Sequence, residues 1–191
     1  MKVIGIAAIS FNNVYCFDNK TVSKHESILP SSRSLDKTFL KNTIEYHTNQ
    51  NKSIVVIGKN TYDQMYKLLK NVDIFISDKK GFHTKSSNEH DDYSVLYSDG
   101  YILSECVYEK VLNYKNYDND INVIVLGGNS VYDEFKYMYD LFYLTVFKVN
   151  IDNDNSKKLD FRNSENLSFN KQVLFDNGNT RISKFINAGK K

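Results

Sequence analysis

The chain has 191 residues, 41% hydrophobic and 25% charged, which suits one globular domain with a real core. A formal net charge of +2 leaves no broad basic footprint, so nucleic acid is not an expected partner. No apolar run approaches the ~20 residues of a membrane span, and Cys16 and Cys106 make no disulfide framework, which fits a soluble, reducing, cytoplasmic setting.

MKVIGIAAISF sets a lysine before a short apolar stretch, a faint imitation of a secretion signal. The stretch runs directly into Asn12-Asn13, a turn signal, and reads instead as a buried central strand over 3–9. Residues 12–34 are polar and irregular and hold the only proline, Pro30; a loop of that length is usually functional or mobile. LDKTFLKNTIEYH (35–47) predicts a helix with Leu35, Phe39, Leu40, Thr43 and Tyr46 on its apolar face. A strand over 54–57, a helix over 61–69 and a strand over 72–77 follow, then a charged segment over 79–92 and a short strand over 93–97. Residues 102–114 predict a helix with Ile102, Cys106, Val107, Val111 and Tyr114 inward. A strand over 121–126, a helix over 130–138 and an aromatic, β-branched strand over 141–149 come next. Strands over 169–175 and 180–187 flank DNGN, a hairpin turn signal. Strands alternating with helices and a closing hairpin predict a single α/β domain over 1–191, its sheet mainly parallel with an antiparallel edge.

Two turns carry the chemistry. INVIVLGGNSVYDEF (121–135) runs from a strand through Gly127-Gly128 into a helix, and SIVVIGKNTYDQM (53–65) does the same with Gly58. Ligands of open α/β sheets collect beyond the carboxyl ends of the strands, where glycines admit a bulky group and helix starts favour anions. Ser130 and Asp133 have capping-box spacing, and Gly58 is followed by Lys59, Asn60 and Thr61, a cation with two hydrogen-bonding side chains. Neither turn is a P-loop or a Gly-x-Gly-x-x-Gly fingerprint, and a single such turn is as readily structural. Two together suggest a ligand with more than one phosphate.

IGIAAIS, VVIGKNTYDQM, IFISD, VIVLGGNSVYDEF and LFYLTVF follow one another in an order that resembles dihydrofolate reductase, over residues 1 to about 187. The most specific element is Gly-Gly-x-x-Val-Tyr followed by Tyr-Leu-Thr. The resemblance implies a mainly parallel sheet of about eight strands with about four helices, and NADPH-dependent reduction of dihydrofolate to tetrahydrofolate by a monomer or homodimer. It implies that Ala8 and Ile9 touch pterin and nicotinamide, and that Gly58, Lys59, Asn60 and Thr61 hold cofactor phosphates. Ser77 would meet the 2′-phosphate; Gly127, Gly128, Asn129, Ser130 and Val131 would form the pyrophosphate loop, with Tyr132 beside the nicotinamide. Thr145 would reach the pterin amine through the acid or a water, and Ile6, Leu40, Met65 and Leu126 would line the substrate pocket.

The family's acid lies six residues after the proline of a Leu-Pro-Trp motif; here that is Asp36 after Leu29-Pro30, with Leu40 on the same helix face. A lone carboxylate in an apolar cleft has a raised pKa and would bind the pterin amine and ring nitrogen. As alternatives, Asp36 is a helix-start residue; Glu45 is the runner-up acid, and ungapped alignment from Gly58 selects Asn42. The chain departs from the family pattern in having Ser31 for the Trp, a longer loop before Pro30, and no arginine near 70–73 to clamp a glutamate tail; Asp78 adjoins the 2′-phosphate position. Those departures keep two other functions open: the related reductase of a ribosylated pyrimidine in riboflavin synthesis, and a nucleotide-binding protein without turnover.

No metal site is expected. His25, His47, His83 and His90 lack ligand spacing and read as surface residues, Cys106 reads as core, and DNDN (152–155) lacks the EF-hand pattern, with Asp154 the family's loop-stabilising aspartate.

Overall fold

The computed structural model describes residues 1–13, 30–69, 72–78, 81–85, 94–97, 105, 107, 121–151, 159 and 168–189. The strands are β1 (Lys2–Ser10), β2 (Ser53–Gly58), β3 (Asp73–Asp78), β4 (Gly81–Lys85), β5 (Ser94–Tyr97), β6 (Asn122–Val125), β7 (Leu141–Phe147), β8 (Phe169–Asp176) and β9 (Thr180–Asn187). They form one sheet in the order β5-β4-β3-β2-β6-β1-β7-β9-β8. The five central strands, β3 to β7 in that order, are parallel, and both flanks are antiparallel. The mainly parallel centre and the C-terminal hairpin agree with the sequence reading. β4 does not: it lies inside the segment expected to be loop, and its run GFHTK has no apolar alternation to announce it.

The helices are α1 (Pro30–Gln50), α2 (Lys59–Met65), which runs into a 3-10 turn at Tyr66–Leu68, and α3 (Asn129–Glu134). Three helices thus stand among the described residues where about four were expected. Of the helix expected over 102–114, Glu105 and Val107 are described, both helical, with Val107 in the core; its other residues lie outside the described ones.

Each sheet face carries its own core, because successive side chains of a strand alternate faces. Val3, Ala7 and Ile9 of β1 join Tyr132, Phe135, Tyr139 and Phe142 on one face. Ile4 and Ile6 join Leu40, Ile44, Met65, Leu126 and Tyr143 on the other, under α1. An almost unbroken apolar strand is what burial on both faces requires, and residues 3–10 of β1 are all buried.

α1 begins five residues before its expected start, at Pro30, because proline's fixed φ suits the first turn of a helix, where its missing N–H costs nothing. Its inward face is Ser32, Asp36, Leu40, Thr43, Ile44 and His47, spaced three and four apart. Leu35 and Tyr46, expected inward, are half-buried and exposed. The helix end is fixed at the amino ends of β2 and β6: the His47 carbonyl accepts from Asn122 Nδ2 at 3.1 Å and Ser53 Oγ at 3.3 Å. The start of α1 therefore lies at the carboxyl ends of the strands.

His47 is not the surface residue expected: it is 4% exposed, with Nε2 at 3.3 Å from the Tyr143 hydroxyl. Burial, then the positive charges of Lys2 and Lys184, pull its pKa from 6.5 to about 4. A group held neutral in the fold takes up its proton first in the unfolded chain, so this contribution is lost as pH falls from 6.5 towards 4. The expected size is about 1–3 kcal/mol. Urea unfolding across that window should show a flatter acid slope for His47→Gln than for the wild type; equal slopes would remove His47 as the cause. His83 sits on β4, and His25 and His90 lie outside the described residues.

Candidate functional site

The two strand–glycine–helix turns come together because β2 and β6 are adjacent parallel strands in register, Val56 beside Val125. Leu126 N–H donates to the Val56 carbonyl at 2.9 Å, and Gly58 N–H donates to the Gly127 carbonyl. A Cβ added at Gly58 would lie 2.9 Å from the Gly128 nitrogen, so the backbones touch in a way only glycine permits. Gly127 takes φ +94°, and the Gly127–Gly128 peptide is cis. Among the described residues, a Cβ added at Gly128 would meet only Thr61 Oγ1, at 3.9 Å. The expected capping box is not formed. Gly128 is the residue that caps α3, without a side-chain bond, and Ser130 is exposed.

Around these turns the residues expected to meet phosphates take distinct places. Ser77, the penultimate residue of β3, stands directly beside Gly58. Lys59 is bound to Asp63 one helical turn on and lies 5.7 Å from the Tyr62 ring; Asn60 is exposed, and Thr61 and Asn129 are half-buried. Val131 and Tyr132 are buried, the Tyr132 ring directly against Gly127. The Tyr132 hydroxyl donates to the Ile6 carbonyl in the middle of β1. Its pKa rises well above 10, through burial first and the charge of Asp36 second.

Asp36, the expected acid, is buried on the sheet face that α1 covers. It sits in the second turn of α1 and is 9% exposed, and its carboxylate accepts a hydrogen bond from the Thr145 hydroxyl. Thr145 is the β7 residue directly beside Ala8 of β1, so the acid lies over the carboxyl halves of the two central strands. Burial raises its pKa from 3.8 to about 6, against the opposing pull of the Thr145 bond and the Lys37 charge. Leu40 packs one turn further along α1, in one cluster with Ile6, Met65 and Leu126. Every residue expected to line the substrate pocket thus belongs to this face, whereas Ile9 turns to the other core.

The chain matches no family model and no curated protein. The site therefore rests on its own geometry.

Glu45 is not a second acid of the cleft: it is exposed and pairs with Lys41 at 3.7 Å on the outer face of α1. Asn42 is exposed as well. Among the described residues no group of His, Cys, Asp and Glu has metal-holding geometry. Cys16, Cys106, residues 70–71 and residues 152–155 with Asp154 lie outside the described residues. Sequence reasoning missed the bond from Tyr132 to β1, the Gly58–Gly127 contact and the Lys37 influence on Asp36. Only the last had a signal, a cation one residue from the acid.

Thr145→Val should raise the Asp36 pKa further, because the bond it removes stabilises the carboxylate. A shift of about one unit is expected, read by carboxyl NMR titration of the free protein. An unchanged or lowered value would mean the bond is not made in solution.

Proposed function

We infer that the protein reduces 7,8-dihydrofolate to tetrahydrofolate with NADPH. One observation carries the reading: a buried carboxylate, Asp36, with its pKa raised to about 6, meets Thr145 of β7 on the sheet face where Ile6, Leu40, Met65 and Leu126 pack. The adjoining glycine turns fit a diphosphate-bearing cofactor, since a side chain at Gly128 would fill the space in front of them. Gly58, Gly127, Gly128 and Thr61 would hold its phosphates, with Ser77 on the neighbouring strand placed for a 2′-phosphate. When bound, the cofactor supplies a hydride to C6 of the pterin.

The chain's own residues do the rest. Asp36 accepts from the pterin amine and ring nitrogen, and Thr145 fixes the carboxylate's orientation. Leu40, Met65, Ile6 and Leu126 exclude water from the ring, which strengthens those bonds and favours a proton at N5. A water molecule would deliver the proton that N5 takes up as C6 receives the hydride, while the two pterin donors favour the ionised form of Asp36.

The test is the loss of NADPH absorbance with dihydrofolate, for the wild type and for Asp36→Asn. Turnover that the substitution abolishes supports the reading. NADPH binding without turnover of dihydrofolate would sink it, and a ribosylated aminopyrimidine is then the next substrate to try.

A further inference from the structure

β8 is the last strand of the sheet, so its outer row of N–H and C=O groups is paired by no described strand. It is covered on neither face beyond Phe169, and Val173, Leu174 and Phe175 are 51%, 42% and 38% exposed. Three consecutive exposed apolar residues on an unpaired edge invite another strand. What that strand is follows from the register. Against β9, Lys171 stands beside Phe185, Val173 beside Ser183 and Asp176 beside Arg181, while Leu174 is an inserted bulge residue. Phe185, Ser183 and Arg181 in turn stand beside Phe142, Leu144 and Val146 of β7, all on one face of the sheet.

The bulge has a definite effect. Lys171 and Asp176 are five apart and would lie on opposite faces of a regular strand; the extra residue brings them to the same face. That face of β8 therefore reads Lys171, Val173, Leu174, Asp176: a cation, two apolar residues and an anion. The pattern is its own complement when reversed. We propose that β8 pairs antiparallel with β8 of a second copy of this chain, about a two-fold axis between Val173 and Leu174. Each Lys171 then faces the second copy's Asp176, and each Val173 faces the second copy's Leu174, with Gln172 opposite Phe175 on the other face. Such isologous contact is closed and stops at two copies.

Asp176 is ready for this role. Its oxygens already accept from Lys148 Nζ at 2.6 Å, Arg181 Nε at 2.7 Å and Gly178 N–H at 3.0 Å, which hold its pKa well below the usual carboxylate range. It stays ionised and fixed in place, with a lone pair left for a fourth donor. The seam from 171 to 176 is about 20 Å long, short of a standard interface, so the dimer should dissociate in the micromolar range.

Sedimentation velocity of the whole chain from about 1 to 200 μM tests it, with the expected constant in the micromolar range. A concentration-dependent dimer is expected, with hydrogen exchange at the amides of residues 169–176 slowing as it forms. Leu174→Lys puts charge at the centre, and Lys171→Glu sets like charges opposite each other. Each should weaken the dimer by about tenfold or more while leaving the thermal midpoint in place. A wild type that stays monomeric throughout overturns the proposal, whether or not it captures an unrelated extended peptide along β8. A dimer indifferent to both substitutions overturns it too.

Discussion

Asp36→Asn should make the protein more stable and inactive at once. A buried carboxylate whose pKa rises from 3.8 to about 6 is protonated more readily in the fold than in the unfolded chain. Between those two values the folded state binds the extra proton, so stability is fully present below 3.8 and declines as pH rises through 6. At neutral pH the whole cost applies, and two units correspond to about 3 kcal/mol as an upper bound. Asparagine has nearly the same shape, keeps an oxygen for the Thr145 hydroxyl and carries no charge to desolvate. The expected gain at neutral pH is therefore about 1–3 kcal/mol, or roughly 3–8 °C in thermal midpoint for a domain of this size. Near pH 4 the gain should vanish, because the wild-type acid is then neutral in the fold. Thermal unfolding of both proteins from pH 4 to 8 measures this without any ligand. A variant no more stable than the wild type at neutral pH would mean that the carboxylate is solvated and the cleft is not dry. Loss of turnover in a variant that is more stable separates a chemical role for the acid from damage to the fold.

The same residue shows what was legible beforehand. Asp36 was selected through the resemblance, as the carboxylate six residues beyond Pro30, and helical spacing then set it on one face with Leu40. The parallel centre of the sheet was legible from pattern: strands buried on both faces need nearly unbroken apolar runs, as 3–9 of β1, 54–57 of β2 and 123–125 of β6 supply. His47 was misread since a single polar residue in a polar stretch carries no sign of its partner, and Tyr143 is 96 residues away. β4 was missed because GFHTK carries no apolar alternation, so its composition resembles a loop. Contacts between the turns were invisible for another reason. Gly58 and Gly127 are far apart in sequence, and only the adjacency of β2 and β6 brings them together. Local pattern reports elements and faces; pairing of distant elements is a property of the assembled sheet.

The paired glycines separate what the fold needs from what a ligand needs, and two alanine substitutions test the separation. At Gly127 the backbone sits at φ +94°, and an added Cβ would enter the Tyr132 ring, 2.9 Å from Cζ. Alanine there takes on the left-handed cost of about 1–2 kcal/mol together with about 1–3 kcal/mol for displacing a fully buried ring. The displaced tyrosine would also lose its bond to the Ile6 carbonyl and so loosen β1 beneath the acid. Gly127→Ala should therefore lower stability by about 3–5 kcal/mol in the free protein, seen as a large fall in urea midpoint. At Gly128 the backbone is extended, φ −73° and ψ −157°, which alanine adopts freely, and among the described residues the nearest atom to an added Cβ is Thr61 Oγ1 at 3.9 Å. Gly128→Ala should leave the urea midpoint within about 0.5 kcal/mol of the wild type. Its methyl would stand where a diphosphate approaches the turn, so NADPH affinity, followed by fluorescence titration, should fall by about tenfold or more. Unchanged affinity in a stable Gly128→Ala protein would show that the cofactor phosphates do not lie on this turn. Equal stability losses at both positions would show that the glycine pair serves the fold alone.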